Sequence, residues 1–250
     1  MIASLPMYTP PLAVGANAAL WAVIRETMRT DELDAPEDLS PVPSDLMAHW
    51  RNPALVFSQT CGLPFRATLK NDVALIGTPD YQVAGCPPGY YRSLVIARGD
   101  DPRDTLAALQ PARFAYNDPM SQSGWAALAM ETPDVLQGPR LCTGSHRASV
   151  LAVQQGVADF AAIDAVTWRH LQNAGETAGL TVIHATPPTP GLPYITARSA
   201  PADALFDAVS RAIAAIAPAI REAHQLKGLI ALPPSAYDFP LPPSPEAIGR

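Results

Sequence analysis

The sequence predicts an α/β protein built as two lobes. Short apolar runs alternate with helical patterns along the chain, which is typical of a largely parallel sheet covered by helices. A long strand pattern, "YYRSLVIAR", leads out of the first part of the chain, and "TPPTPGLPYITAR" leads back. These two crossings predict a lobe one of residues 1–96 and 191–250, with lobe two, residues 97–190, inserted into it. Two crossings form a hinge, and the cleft between two lobes is a natural ligand site.

The composition indicates a globular chain and excludes several functional classes. The 250 residues are 48% apolar and 16% charged, which is enough apolar material for a core and too little charge for a disordered protein. The net charge is −6 with no cluster of Lys and Arg, so we expect no nucleic-acid partner. The three cysteines show no C-x-x-C spacing, and His49, His170 and His184 have no partner at metal-ligand spacing, so we expect neither a metal nor a cofactor. Cys61 and Cys86 fall in predicted loops, where reduced thiols are favoured over a disulfide between them.

The predicted elements follow in order along the chain. The strand candidates are "MIASLPM", "ALVFSQ", "DVALIGT", "SLVIAR", "RFAYN", "RLCTG", "DFAAID", "TVIHA" and "YITAR". Helical patterns lie between them; among these, "SDLMAHWR" has Ser44 as its expected N-cap and "DPRDTLAALQ" is a further candidate. The longest helical pattern contains Pro218, which predicts a kink or a split there. The proline-rich tail from "LPPSAYDF" onward is expected to run extended over the surface.

Small polar residues stand where the predicted strand "RFAYN" gives way to a helix. Ser121, Gln122 and Ser123 with Gly124 occupy the expected first turn, where backbone N–H groups are unpaired and the helix dipole is positive. Hydroxyl groups, together with a glycine that allows close approach of the backbone, would bind an anion without any Lys or Arg. A simple helix cap is the alternative, and it is the commoner meaning of such a stretch taken alone.

The next strand-to-helix turn repeats this design. "LCTGSHRASVLAVQQGVADFAAID" contains a strand, the Thr-Gly-Ser-His turn, a helix, and a second strand ending in Asp164. Ligands of open α/β sheets bind at the edge where the strands end. His146 is therefore expected either to donate to an anion bound at that edge or to cap its own helix.

These segments carry a family resemblance. "NDPMSQSGWAAL", "TGSHRASVLAVQQGVADFAAIDAVTW" and "PTPGLPYITAR" resemble the PhnD-like phosphate, phosphite and phosphonate-binding proteins of ABC importers, over nearly the whole chain. The resemblance implies a type 2 periplasmic-binding-protein fold, with two mixed sheets flanked by helices and a two-strand hinge. The ligand-binding residues that it implies here are Ser121, Gln122, Ser123, Gly124, His146, Tyr91 or its neighbour Tyr90, Gln59, Thr60, Tyr8 and Asp164.

Two positions depart from the family pattern. Gln122 stands where the family usually has Thr, and Leu192 stands where it has an acidic residue for an aminoalkyl ammonium group. The resemblance therefore implies a phosphate-like or other small oxyanion as ligand, and it does not extend to aminoalkylphosphonates.

The expected function is capture of a small oxyanion by a monomeric solute-binding protein, with an ABC transporter permease as partner and no catalysis. The alternative is a cytoplasmic enzyme or a ligand sensor on the same fold. The N-terminal stretch "MIASLPMYTPPLAVG" has no basic region typical of a signal peptide. The expectation is a cytoplasmic protein as the sequence stands, or a periplasmic one if the sequence is that of a mature chain.

Overall fold

The computed structural model describes residues 1–10 and 13–248, which form two compact units. One unit comprises Met1–Tyr90 and Pro190–Phe239, and the other comprises Tyr91–Thr189 together with residues 240–248. The short strands β4 (Tyr90–Tyr91) and β10 (Thr189–Pro190) pair at the points where the chain passes between units. The predicted boundaries differ from these, because they assign residues 240–248 to lobe one.

The first unit contains a mixed five-stranded sheet. Its strand order is β1-β2-β11-β3-β12, in which β1 and β2 are parallel, while β11 is antiparallel to both β2 and β3 and β12 is antiparallel to β3. The strands are β1 (Ile2–Ser4), β2 (Leu55–Gln59), β3 (Val73–Asp80), β11 (Tyr194–Ala197) and β12 (Gly228–Ile230). The helices are α1 (Ala16–Thr30), α2 (Leu46–Trp50), α3 (Gly62–Pro64, continued by a π-turn over Phe65–Leu69), α7 (Ala202–Ala215) and α8 (Pro218–His224).

The second unit contains a sheet of the same kind. Its order is β7-β6-β8-β5-β9, in which β6 is parallel to β7 and β8, whereas β5 is antiparallel to β8 and β9. The strands are β5 (Ser93–Arg98), β6 (Phe114–Tyr116), β7 (Arg140–Cys142), β8 (Phe160–Asp164) and β9 (Leu180–Ala185), and the helices are α4 (Ala127–Glu131), α5 (His146–Gln154) and α6 (Ala165–Asn173). The predicted mixed α/β fold class is confirmed.

The core of the second unit lies on both faces of its sheet. Along β8, Phe160 and Ala162 pack on one side, and Ala161 and Ile163 on the other. Successive side chains of a strand point to opposite faces, so a central strand covered on both sides is apolar throughout. This buried strand ends in Asp164, at the edge of the sheet where the candidate site lies.

Several local predictions can be compared with the structure. The long helix is split as expected, because α7 ends at Ala215 and α8 begins at Pro218. The predicted Ser44 cap of α2 is wrong: Asp45 is the N-cap, and its carboxylate accepts the N–H of Ala48 at 2.9 Å. "DPRDTLAALQ" forms only a 3₁₀ turn over Ala107–Leu109.

The tail departs from the expected extended surface segment. Pro234–Tyr237 is a 3₁₀ turn, and the Tyr237 ring is buried against Phe65. The Tyr237 hydroxyl group lies 2.8 Å from Thr78 Oγ1 and donates to the Gly191 carbonyl at 2.9 Å. The aromatic residue within the proline-rich run thus anchors the tail to the first unit.

Candidate functional site

The helix mouth, defined here as residues 121–124, follows the end of β6. The carbonyl of Asp118 accepts the N–H of Ser121 at 3.0 Å, which closes the turn before the helix. Ser121 is the N-cap: its Oγ accepts the N–H of Gly124 at 2.9 Å, so the cap expected as the alternative reading is present. The first helical residues, Gln122–Ala126, form a π-turn that continues directly into α4. Turns of this type occur often at functional sites.

The polar groups of the helix mouth are buried. The relative exposure of Ser121 is 4%, and that of Ser123 is 3%. The Ser121 oxygen accepts from Gly124, but its own O–H proton remains available to a further acceptor. The N–H groups of a first helical turn have no acceptor within the helix, and they carry partial positive charge. The helix mouth therefore combines a hydroxyl donor with an electropositive backbone.

Gly124 is explained by the side chain of Asn117. A Cβ atom at position 124 would lie 1.7 Å from Asn117 Oδ1 and 3.2 Å from Ser121 Oγ. The amide of Asn117 thus occupies the space that any larger residue would need. Close approach of a ligand is one reason for glycine at this position, and packing against Asn117 is a second reason that applies without a ligand.

Ser123 connects the helix mouth to the next helix. Its Oγ lies 2.9 Å from Nε2 of His146, the first residue of α5. Its carbonyl accepts the hydroxyl of Ser93, at the start of β5, at 2.8 Å. The two helix beginnings lie together because the turn before α5 is bonded to the end of β6, with the N–H of Thr143 on the Tyr116 carbonyl at 2.8 Å.

The imidazole of His146 is neutral near pH 7. Burial lowers its pKa to about 4, and the nearby Ala162 carbonyl opposes that effect only in part. Nδ1 makes no hydrogen bond of normal geometry within the described part of the chain, so the influence of this carbonyl is a weaker, longer-range one. A neutral imidazole has one nitrogen that donates and one that accepts.

Two other predicted residues of the second unit have structural surroundings of their own. Asp164, 1% exposed, caps α6: its Oδ1 accepts the N–H groups of Val166 at 2.7 Å and of Thr167 at 2.9 Å. Tyr91 is buried in β4. The second unit therefore brings Ser121, Ser123 and His146 together, whereas the Asp164 carboxylate is engaged with a helix beginning.

The remaining predicted residues belong to the first unit. Gln59 Nε2, at the end of β2, donates to the Tyr81 hydroxyl at 3.2 Å and to the Leu192 carbonyl at 3.1 Å. The ring of Tyr8 meets Tyr81 edge-on, with centroids 5.2 Å apart. Thr60 is wholly buried, and its N–H donates to the Pro193 carbonyl at 3.1 Å.

Sequence reasoning missed three residues next to these groups. Ser93 and Asn117 hold the helix mouth, and Tyr81 holds Gln59. Asn117 belongs to the quoted turn "NDP" and offered a signal, whereas a lone serine at the start of a strand offers none. Within residues 1–10 and 13–248, no group of three His, Cys, Asp or Glu side chains could hold a metal ion.

The comparison that decides the family concerns residues 48–237. They match the family model described as ABC transporter, phosphonate, periplasmic substrate-binding protein. The chain belongs to this family. Its members are the binding components of ABC transporters, which confirms the resemblance found in the sequence. No curated protein sequence matches this phosphonate-binding family member significantly.

Solved structures share the fold of this family member at low sequence identity. PhnD1 from Prochlorococcus marinus, in complex with methylphosphonate, is 14% identical with a TM-score of 0.69, over 95% of this chain and 93% of that one. A binding protein component of an ABC phosphonate transporter from Pseudomonas aeruginosa is 17% identical with a TM-score of 0.67, over 94% and 83%. A Xanthomonas citri protein bound to ATP is 16% identical with a TM-score of 0.68, over 94% and 92%. In the described part of this family member, no helix is long and apolar enough to cross a membrane.

Proposed function

We propose that this chain binds a small oxyanion of the phosphonate, phosphite or phosphate class at the helix mouth. The observation that carries the proposal is the pair of buried hydroxyls, Ser121 and Ser123, at the beginning of a helix and beside a neutral His146. Family membership supports the ligand class. The methylphosphonate complex of the Prochlorococcus marinus protein supports it as well.

The chemistry of the helix mouth suits an anion held by neutral donors. Hydroxyl and backbone N–H groups form short, strong hydrogen bonds when the acceptor is charged. They also need no counter-ion of their own, so a released anion leaves no unpaired buried charge behind. Gln122 is placed in the same turn, and its longer side chain is proposed to replace the Thr that the family usually has there.

The proposal also includes the other predicted ligand contacts. Gln59, Thr60, Tyr8 and Tyr91 are carried over from the family resemblance as ligand contacts, and the amide of Gln59 is already held in position by Tyr81. Asp164 is proposed to act by fixing the start of α6. A permease partner and a periplasmic location belong to the same proposal, as does a monomeric state.

A catalytic alternative is less well supported by the geometry. A serine hydroxyl 2.9 Å from an imidazole is also the arrangement of a nucleophile and its base. A general base works best when its pKa lies near the operating pH, and the His146 pKa of about 4 is far below neutrality. The pair is therefore better suited to hydrogen bonding than to proton abstraction.

Isothermal titration calorimetry with methylphosphonate, phosphite, phosphate and sulfate tests this proposal. Ser121→Ala should weaken binding roughly tenfold to a hundredfold, because a hydrogen bond to a charged group contributes about 1.5–3 kcal/mol. The same variant also loses a helix cap, so Asp45→Ala, which removes the cap of α2 in the first unit, is the matched control. The control should bind as the parent does. Failure of all four anions to bind the parent protein would refute the proposal, as would unchanged binding by Ser121→Ala.

A further inference from the structure

A chain of hydrogen bonds leads from the start of β5 into the helix mouth. The hydroxyl of Ser93 donates to the Ser123 carbonyl at 2.8 Å. That carbonyl belongs to the same peptide group as the N–H of Gly124, which donates to Ser121 Oγ at 2.9 Å. Because the C=O and N–H of a planar trans peptide point in opposite directions, these two hydrogen bonds lie at opposite ends of one group. We call this series, from the Ser93 hydroxyl through the peptide group to the Ser121 hydroxyl, the relay.

Every hydrogen bond of the relay is donated toward Ser121. The Ser121 oxygen accepts from Gly124, so its own O–H proton is the last donor of the series. Hydrogen bonds aligned in this way polarise one another, which strengthens each by about 10–30%. The effect is largest where water is excluded, and the relative exposures are 1% for Ser93, 4% for Ser121 and 3% for Ser123.

The backbone of Ser93 is held by the sheet on both sides. Its N–H donates to Thr186 Oγ1 at 3.0 Å, and its carbonyl accepts the N–H of Thr186 at 3.0 Å. On the other side, its register partner is Asp164 of β8. The first hydroxyl of the relay is therefore fixed by the fold, and a donor fixed in advance need not be ordered when a ligand binds.

We infer that Ser93 is a positioning residue of the anion site and acts through the peptide group between Ser123 and Gly124. Its only hydroxyl proton lies on the Ser123 carbonyl, so Ser93 has none to donate to a ligand. It instead polarises the peptide group, which makes the Ser121 hydroxyl a stronger donor. This inference rests on the proposed function, because the Ser121 proton must end on the oxyanion.

The relay also responds to the bound charge. An anion that accepts from Ser121 makes the Ser121 oxygen more electron-rich, and this oxygen becomes a better acceptor for the Gly124 N–H. The same polarisation makes the Ser123 carbonyl a better acceptor for Ser93. The hydrogen bonds of the relay are therefore expected to strengthen together when the ligand binds, which a purely structural contact of Ser93 would not do.

Calorimetry of the full chain measures the effect of Ser93 on affinity, with the tightest-binding of the four anions named above. Ser93→Ala should raise the Kd about twofold to tenfold, because the cooperative strengthening is lost. In a Ser121→Ala background it should have little further effect, since the relay then no longer ends on a hydroxyl, so the two losses should not add. Ser93→Cys has a similar shape but a weaker donor, and its Kd should lie between those of the parent and Ser93→Ala.

Thr196→Val is the matched control. Thr196 is wholly buried in the first unit, and its hydroxyl donates to the Leu55 carbonyl at 3.2 Å. The control therefore removes the same kind of hydrogen bond as Ser93→Ala, outside the helix mouth. We expect it to lower the urea midpoint to a similar extent and to leave the Kd unchanged.

Nuclear magnetic resonance reports on the relay directly. Ser123 and Gly124 are the only Ser-Gly pair in the sequence. Cell-free synthesis with carbonyl-¹³C serine and ¹⁵N glycine therefore gives a single correlation, which arises from the peptide group of the relay. Ligand binding should move the Ser123 carbonyl carbon and the Gly124 amide proton downfield, because both hydrogen bonds strengthen. In Ser93→Ala the movement of the carbonyl resonance should fall by at least about half.

Three results would overturn the inference while the proposed function stands. The first is unchanged binding by Ser93→Ala when Ser121→Ala binds more weakly. The second is equal losses from Ser93→Ala in both backgrounds. The third is a labelled peptide group whose resonances do not move when the anion binds, and this measurement on the parent protein remains decisive if a variant fails to fold. If none of the four anions binds the parent protein, the inference and the proposed function both fall.

Discussion

The contact between Asn117 and Gly124 predicts that the effect of Gly124→Ala on stability depends on the residue at position 117. In Gly124→Ala, the new Cβ would lie 1.7 Å from Asn117 Oδ1, whereas ordinary contacts begin at 3.4 Å, so the two atoms must separate by about 1.7 Å. Overpacking of this kind costs about 1–3 kcal/mol. Alanine is favoured over glycine within a helix by about 1 kcal/mol. We therefore expect a net destabilisation of up to about 2 kcal/mol in the parent background.

The same substitution should be harmless once the amide is removed. In an Asn117→Ala background the nearest remaining atom is Ser121 Oγ at 3.2 Å, and the intrinsic preference for alanine then dominates. Gly124→Ala is expected to be neutral, or stabilising by up to about 1 kcal/mol, in that background. The coupling between the two positions should exceed about 1 kcal/mol, as is typical of residues in direct contact.

Urea unfolding of the four proteins, followed by tryptophan fluorescence, measures this coupling. Trp125 is fully buried one residue after Gly124 and reports on the same region. Gly99→Ala in the same unit is the control, since its Cβ would meet the Gly179 carbonyl oxygen at an ordinary 3.5 Å. Equal effects of Gly124→Ala in both backgrounds would show that Asn117 is not the reason for glycine at this position.

Two further predictions concern stability. Asp101→Asn should lower the free energy of unfolding by at most about 2 kcal/mol near neutral pH. The hydrogen bond from Arg103 lowers the Asp101 pKa to about 2, so this difference should disappear as the pH falls from about 4 to about 2; a difference independent of pH would contradict the assignment. Tyr237→Phe should cost about 1–3 kcal/mol in chemical unfolding, since it leaves the buried Thr78 without its hydroxyl partner. An unchanged urea midpoint for this variant would mean that the tail is not anchored by that hydroxyl.

Much of the helix mouth could be predicted from the sequence because its chemistry is local. A serine just before an apolar helical pattern is expected to accept a backbone N–H of the first helical turn, which would otherwise be unpaired. Ser121 follows that rule, since its Oγ accepts the N–H of Gly124, and this is the cap that the sequence offered as the alternative to an anion site. The helix break before Pro218 also follows from a local rule, since proline lacks the N–H that would continue the helix.

The features that the sequence did not reveal depend on distant parts of the chain. Ser123 and His146 are separated by 23 positions and meet because the strands that precede them, β6 and β7, lie side by side. The Ser93 hydroxyl reaches Ser123 from 30 positions away. No periodicity or spacing rule relates such positions, so these two contacts can be found only from the fold.

The burial of Tyr237 was missed for a different reason, since the signal for it is local. A proline-rich composition favours an extended, solvated chain. That preference describes the segment as a whole and does not account for a single aromatic residue with a large apolar surface to bury. Burial of a tyrosine ring outweighs the preference of its neighbours, provided that its hydroxyl finds partners, as it does at Thr78 and Gly191.

The course of the C-terminal segment matters for anyone who expresses or trims this protein. Trp125 Nε1 donates to the carbonyl of Pro243 at 2.9 Å, and Arg140 donates to the carbonyl of Ile248 at 3.1 Å. Deleting residues from 240 onward would leave the indole N–H, one position beyond Gly124, without its acceptor. A protease cut before Pro243 would therefore remove a hydrogen bond from the residue that follows the helix mouth, far from the cut in sequence.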